Sequence, residues 1–303
     1  MADRLLSGQD WLALDSWPRD SIRGWSRRFH WQWPCVRAQL TDANRHAGLA
    51  NIRRPAMEQG TLQMTSYALV TGASRNIGRA IAERLTDDGH TVLMLDKRVP
   101  EGPCPGEFRQ VDLSDAAATT EALQWALDGR NVTRLVNCAG IVDTTPLEAL
   151  EASDFDRVVA LNTRAYVQTT QALAVGMKAA GFGRIVNIAS RAALGVGALP
   201  LYSLSKGAVV TFTKTTALSL APHGITCNAV SPGPIETDLM REVYPVGSDK
   251  RAKYLPTIPV QRFGTTDDVA EVVSFFLSDQ SGFVTGQNLN VCGGLTVGLA
   301  HTV

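Results

Sequence analysis

Cysteine is scarce in this chain: five in 303 residues, at positions 35, 104, 138, 227 and 292, with no Cys-x-x-Cys pair. So few thiols at such spacings exclude a disulfide-framed secreted scaffold and fit a reducing compartment, the cytoplasm. Long apolar runs are also missing, none reaching the roughly eighteen residues that a bilayer span needs. The five histidines are scattered without the close spacing of metal ligands, so no metal site is expected. Net charge is lacking too, because 29 Lys and Arg balance 29 Asp and Glu. That balance gives no electrostatic reason to expect nucleic acid or a membrane surface as partner.

The balance hides an asymmetry. Residues 1–63 carry nine Arg, no Lys and six acids, and five of the six tryptophans (Trp11, Trp17, Trp25, Trp31, Trp33) lie there. No period of 2 or 3.6 gathers these tryptophans on one face. Asp3, Asp10, Asp15 and Asp20 argue against a mitochondrial transit peptide, and no apolar core follows a basic start as in a secretory signal. Residues 1–63 therefore read as an extension without a function of its own, poorly ordered or upstream of a start at Met64. An interaction tail using exposed Trp and Arg is the alternative.

From Tyr67 the pattern changes. "YALVTG", "HTVLMLD", "EFRQVDLSD", "TRLVNCAG", "GRIVNIAS", "GITCNAVSPG" and "GQNLNVCGG" are short apolar runs ending in turns. Between them lie helical patterns: "IGRAIAERLTDDG" with Ile77, Ala80, Ile81 and Leu85 on one stripe, a helix capped by Asp115, and a long one from about Ser153 to Ala180. "YSLSKGAVVTFTKTTALSLAP" and "TTDDVAEVVSFFLS" complete the set. Apolar strands alternating with helices predict an α/β fold: one doubly wound domain over 64–303, a mainly parallel sheet covered on both faces. Ligands of such a fold bind at the carboxyl ends of the strands.

The first turn, "TGASRNIG", has Gly72 and Gly78 around Ala73, Ser74, Arg75, Asn76 and Ile77. It would bring backbone N–H groups to a pyrophosphate at the N-terminus of the following helix. Asn76 stands where a third glycine would be expected. Asn is the side chain that enters positive φ most readily, so the turn remains compatible with a dinucleotide. Asp96 ends the second strand, where a carboxylate accepts both hydroxyls of an adenosine ribose and disfavours a 2′-phosphate. It favours NAD, while the basic neighbours Arg75, Lys97 and Arg98 leave NADP open.

"YSLSK" places Tyr202 and Lys206 four apart, on one face of a helix. An ammonium beside the phenol is expected to lower its pKa from about 10 toward working pH, making Tyr202 an acid/base for a carbinol–carbonyl pair. Ser190 ends a strand twelve residues earlier and can hydrogen-bond a substrate oxygen. Asn162 is a polar residue in an otherwise apolar helix, which implies a task for its side chain or backbone.

Together, Gly72-x-x-x-Asn76-x-Gly78, "NCAG" at Asn137–Gly140, Asn162, Ser190, "YSLSK" and "SPGPIET" resemble the short-chain dehydrogenases/reductases in order and spacing. The resemblance covers essentially all of 64–303. It implies a Rossmann-type core of about seven strands and a tetrad of Asn162, Ser190, Tyr202 and Lys206. In that tetrad Tyr202 moves the proton, Lys206 lowers its pKa and binds the nicotinamide ribose, Ser190 orients the carbonyl, and Asn162 holds a water. It further implies Asp112 near the adenine, Asn137 near the adenosine ribose with Ala139 and Gly140 beside it, and Ile235 and Thr237, after Pro232-Gly233, on the carboxamide and phosphate. Asn76, Cys138 and Cys292 depart from the commonest pattern, the two cysteines reading equally as core filling.

"IPVQRFG" resembles the 3-oxoacyl-(acyl-carrier-protein) reductase subgroup, whose pattern many sugar, polyol and steroid dehydrogenases share. Residues 237–263 correspond to the lid segment, in which Leu239, Met240, Val243, Tyr244 and Tyr254 form a substrate wall or simply pack helices. A small-molecule carbonyl or alcohol is the expected substrate. A dinucleotide-sensing protein without turnover is the rival reading, and it sits poorly with the presence of Ser190, Tyr202 and Lys206 together. Helices 153–180 and 201–222 are apolar around much of their circumference, which predicts a homodimer or homotetramer.

Overall fold

The computed structural model describes residues 66–297, so the expectation for residues 1–63 lies outside the described residues. Seven parallel strands form one sheet: β1 (Tyr67–Thr71), β2 (Thr91–Asp96), β3 (Glu107–Gln110), β4 (Val132–Asn137), β5 (Gly183–Ile188), β6 (Ile225–Pro232) and β7 (Asn288–Val291). Their order is β3-β2-β1-β4-β5-β6-β7. The chain leaves β1 toward one edge, returns, and leaves β4 toward the other. The switch point therefore falls between β1 and β4, where a doubly wound sheet opens a crevice.

β4, β5 and β6 are buried along their whole length, as strands covered on both faces must be. Beneath one face lie α1 (Asn76–Asp87) and α8 (Thr266–Leu277), whose Ile81, Leu85, Val269, Val273 and Phe276 pack with Val70, Met94 and Val186. Beneath the other lie α2 (Ala116–Leu127), α4 (Ala165–Ala180) and α5 (Pro200–Leu220). Their Leu123, Leu173, Met177 and Leu220 pack with Leu69, Leu95 and Leu135. Asp115 caps α2 by accepting the N–H groups of Ala117 and Ala118.

The helix expected from Ser153 to Ala180 is interrupted. α3 (Ala152–Val159) runs into one π-helical turn, Ala160–Arg164, before α4 begins. The turn contains Asn162, which is fully buried. Such turns widen a helix by one residue and redirect the side chains within them. Among the described residues no helix is long and apolar enough to cross a membrane.

α8 begins with a capping box: Thr265 accepts the Asp268 N–H, and Asp268 accepts the Thr265 N–H at 2.7 Å. Asp268 also pairs with Arg262 at 2.6 Å, and this pairing, with the box, pulls its carboxyl from 3.8 down to about 2. A folded-state pKa below the unfolded one stabilises above the unfolded value, and that stabilisation is lost as pH falls toward the folded value. Asp268→Asn is therefore expected to cost about 1 kcal/mol at neutral pH, after allowing for solvent screening. The deficit should shrink below about pH 4. Urea midpoints at neutral and acid pH check this; a deficit that does not depend on pH would contradict it.

Candidate active site

β1 ends at Thr71 and the chain turns through Gly72, whose φ is 68°. A Cβ on Gly72 would stand 2.8 Å from Ala139 Cα and N, and one on Gly78 only 2.0 Å from the Gly72 carbonyl oxygen. Close approach of backbone to backbone therefore requires glycine at both positions. Thr71 Oγ1 accepts the N–H groups of Cys138 and Ala139 at 3.0 and 3.2 Å, fixing the turn to the loop after β4.

Asn76 sits at φ 50°. Its amide also bridges to α6 (Asp238–Val243): Nδ2 donates to the Asp238 carboxylate at 3.0 Å, and Oδ1 accepts the Asp238 N–H at 3.1 Å. Arg75 pairs with the same carboxylate at 3.0 Å. α1 has no side-chain cap and no acid in its first turn, whereas Asp115, Thr237, Ser248 and Thr265 cap other helices. Its leading N–H groups stay available to an anion.

Asp96, at the end of β2, accepts the Ser74 N–H and the Arg98 N–H, each at 3.0 Å. Its carboxylate is thereby fixed beside the glycine turn, while the Ser74 hydroxyl donates to the Arg98 carbonyl. Asp112 follows β3 and accepts from Lys97 at 2.6 Å and from the Ser114 hydroxyl at 2.6 Å, which draws its carboxyl down to about 2. A pocket lined by Lys97, Arg109, Asp112, Ala118 and Glu121 opens beside it. Pro232 ends β6. Gly233 then bonds the Val291 carbonyl at 2.8 Å, and a Cβ there would lie 2.7 Å from Cys292 Cα.

Asn162, Ser190, Tyr202 and Lys206 gather at this same edge. Ser190 follows β5, and its hydroxyl accepts the Ala192 N–H at 3.1 Å. Loss of water around the Tyr202 phenol raises its pKa above the ordinary value, and the neighbouring Ser190 hydroxyl offsets only part of that rise. Lys206 is nearly fully buried. Its Nζ donates to the Ile188 carbonyl at 2.8 Å and the Tyr166 hydroxyl at 3.4 Å, and lies 5.8 Å from the Tyr202 ring centroid. Burial pushes its pKa down to about 8.

The expectation that Lys206 lowers the Tyr202 pKa is thus corrected for the protein alone. The ammonium is held by a carbonyl and a second tyrosine, and loss of water around the phenol raises its pKa instead.

The side chains of four further candidate residues are engaged within the protein. Asn162 Oδ1 accepts the Ile141 N–H at 2.9 Å, and Nδ2 donates to the Ile141 carbonyl at 2.9 Å and the Ser205 hydroxyl at 3.1 Å. With both ends of the amide occupied, the side chain pins the loop after β4 to the π turn, leaving the main chain of that turn for any water. Asn137 is fully buried. Its Nδ2 donates to Asn187 Oδ1 at 2.9 Å and Thr170 Oγ1 at 3.3 Å, and its Oδ1 accepts from Thr169 Oγ1 at 2.6 Å. That network holds the side chain in the core, leaving the main chain at this position for a ribose. Ile235 turns its side chain into the core, leaving only its main chain for a carboxamide, and Thr237 Oγ1 caps α6 at the Met240 N–H.

Asn137→Ala is expected to cost about 2–3 kcal/mol, because it strands buried partners without new acceptors or donors. Urea denaturation measures this, and a loss below about 0.5 kcal/mol would show that the network is dispensable.

Sequence reasoning missed Tyr166, Ser205 and Asp238. Tyr166 lies one helical turn after Asn162, a spacing that would have revealed it. The partners that tie Ser205 and Asp238 to the site, Asn162 and Asn76, are more than 40 residues away in sequence.

The family model described as enoyl-(acyl carrier protein) reductase matches residues 72–296. The chain belongs to the short-chain dehydrogenases/reductases. It is 36% identical over 252 residues to the human (3R)-3-hydroxyacyl-CoA dehydrogenase, covering 76% of this chain and 95% of that protein. The ligand-free aldohexose dehydrogenase of Thermoplasma acidophilum superposes with a TM-score of 0.74 at 32% identity, covering 79% and 97%. A 3-oxoacyl (acyl-carrier-protein) reductase of Agrobacterium tumefaciens with NADP bound gives 0.71 at 26% identity, covering 76% and 94%. Membership makes this chain an NAD(P)-dependent oxidoreductase that transfers a hydride between nicotinamide and a secondary alcohol or ketone.

Proposed function

We propose that Tyr202 exchanges the proton of that reaction, that Ser190 orients the substrate oxygen, and that NAD is the preferred cofactor. The observation carrying the first part is the convergence at one strand edge of Ser190, which follows β5, and the Tyr202 ring, with the Lys206 ammonium 5.8 Å from the ring centroid. A phenol whose pKa is raised stays protonated at neutral pH and is ready to donate to a carbonyl oxygen.

The residues present fit a dinucleotide. The sharp turn at Gly72, the uncapped start of α1 and the exposed backbone of Gly140 form a cradle that side chains would fill. A Cβ on Gly140 would come within 3.4 Å of Lys206 Nζ. When bound, the nicotinamide supplies or accepts the hydride. Lys206, Asn76, Ile77 and Gly78 are the groups that would hold the ribose and pyrophosphate.

The preference for NAD rests on charge. Asp96 presents a fixed carboxylate, Arg75 is engaged by Asp238 and Lys97 by Asp112. A 2′-phosphate would meet one anion and find Arg75 and Lys97 already engaged, leaving Arg98 as the cation to receive it. A spectrophotometric panel of ketones and alcohols tests the reading with both cofactors. We expect kcat/KM at least about tenfold higher with NAD(H), a difference of about 1.4 kcal/mol. Equal use or NADP(H) preference would overturn the cofactor part, and no absorbance change with any substrate would overturn the whole.

The substrate is a small carbonyl or alcohol compound, 3-oxoacyl thioester reduction being one reaction of this kind. With its described cysteines all free thiols, the protein suits a reducing, cytoplasmic setting. Val167 and Val175 on α4 and Leu204 and Leu218 on α5 are exposed. These apolar faces would be covered by pairing with a second copy, giving a homodimer or homotetramer. Light scattering should find a multiple of the chain mass; a monomer at micromolar concentration would contradict this.

A further inference from the structure

We propose that Arg191 is an anion-recognising residue of the substrate cleft, and that the substrate carries a carboxylate a few bonds from its reacting carbon. This rests on the placement of Ser190 and Tyr202 at the reacting carbonyl. Arg191 directly follows Ser190 and opens the short turn Arg191–Leu194, so its Cα lies one peptide unit, about 3.8 Å, from that of Ser190.

Its guanidinium reaches across to the lid segment, where Nη2 donates to the Tyr254 hydroxyl at 3.2 Å. Tyr254 ends α7 (Asp249–Tyr254) and stacks on Tyr244 with ring centroids 4.7 Å apart, with Phe263 tilted beside both. A cation is thus held between the catalytic serine and an aromatic cluster.

Among the described residues no carboxylate lies within ion-pair distance of Arg191. The acids of the neighbouring loops are committed elsewhere: Asp143 to Arg157, Asp238 to Arg75, and Glu236 to Arg251 and Arg241. Tyr254 is no substitute counter-ion, because burial raises its pKa and keeps it neutral. A neutral substrate closing this cleft would strip water from the guanidinium and return nothing. A carboxylate matches its planar fork with two charge-assisted hydrogen bonds. An amphipathic strut between Ser190 and the lid would not need a charge.

The test compares 3-oxobutanoate and 4-oxopentanoate with their methyl esters, in the parent, Arg191→Gln, Arg191→Lys and Tyr254→Phe. For at least one acid–ester pair we expect the parent to favour the acid roughly 10- to 100-fold in kcat/KM. That ratio should collapse toward parity in Arg191→Gln and recover partly in Arg191→Lys. Butanoate should inhibit the parent competitively and Arg191→Gln far less. If Arg191 is only a strut, Arg191→Gln and Tyr254→Phe lower acid and ester by the same factor, and the proposal fails. It fails equally if the parent shows no preference in either pair. Turnover of neutral ketones without any advantage for acids would sink this assignment alone. No turnover of any ketone would bring down the underlying reading with it.

Discussion

Tyr202→Phe is expected to lower kcat by roughly two to four orders of magnitude, the usual worth of a positioned general acid, while NADH still binds. Phenylalanine keeps the ring and removes only the hydroxyl, so the loss isolates the proton. The parent phenol, raised by burial, is protonated through the neutral range. Lys206, pushed down to about 8, keeps its charge below that pH and loses it above. Ketone reduction should therefore be steady below about pH 8 and fall above it, as the cation that would hold the ribose disappears. Alcohol oxidation needs the phenolate and should rise with pH until the loss of that same cation opposes it. Steady-state absorbance at several pH values, with fluorescence titration of NADH, separates the two effects. A phenylalanine variant within tenfold of the parent would remove Tyr202 from the mechanism.

Much of the fold was legible because each element announces itself locally. "YALVT", "TVLMLD" and "GRIVNI" are apolar runs too short for helices, and each forms a buried strand. Asp115 and Thr265 mark helix starts by chemistry that spans only three residues. Tyr202 and Lys206 were legible as a pair for the same reason, since they share one helix, whereas Asn162 and Ser190 joined them through the family resemblance.

What escaped were quantities set by distant neighbours. The pKa of Tyr202 depends on how much water the folded chain removes, which no spacing records. Lys206 is four residues from Tyr202, yet its amine bonds Ile188, eighteen residues away, and Tyr166, forty away. Asn137 was placed near the adenosine ribose by the family resemblance alone. Only the register of β4 against β5 shows it facing Asn187 in the core. The π turn at Asn162 was invisible because one extra residue in a helix barely disturbs the apolar period.

The turn after β1 holds two positions that differ sharply in tolerance. Gly78→Ala is expected to destabilise the protein by about 3 kcal/mol or more and to raise KM for NAD at least tenfold. The added carbon would lie 2.0 Å from the Gly72 oxygen and 2.7 Å from its carbonyl carbon. Both are backbone atoms, held in place because Gly72 N–H bonds the Leu95 carbonyl at 2.7 Å and Thr71 ties the same turn to Cys138 and Ala139. Relief can come only by moving α1 off the sheet, which pulls its N-terminus from the phosphate position. Asn76→Gly is the informative contrast. It removes the bridge to Asp238, a partly exposed contact worth about 1 kcal/mol or less. It also relieves an asparagine held at φ 50°, a gain of similar size. The two nearly cancel, so its melting temperature should stay close to the parent's. Thermal melts with and without NAD check both variants together. If Gly78→Ala melts and binds like the parent, the turn is not the close-packed cradle that the glycines require.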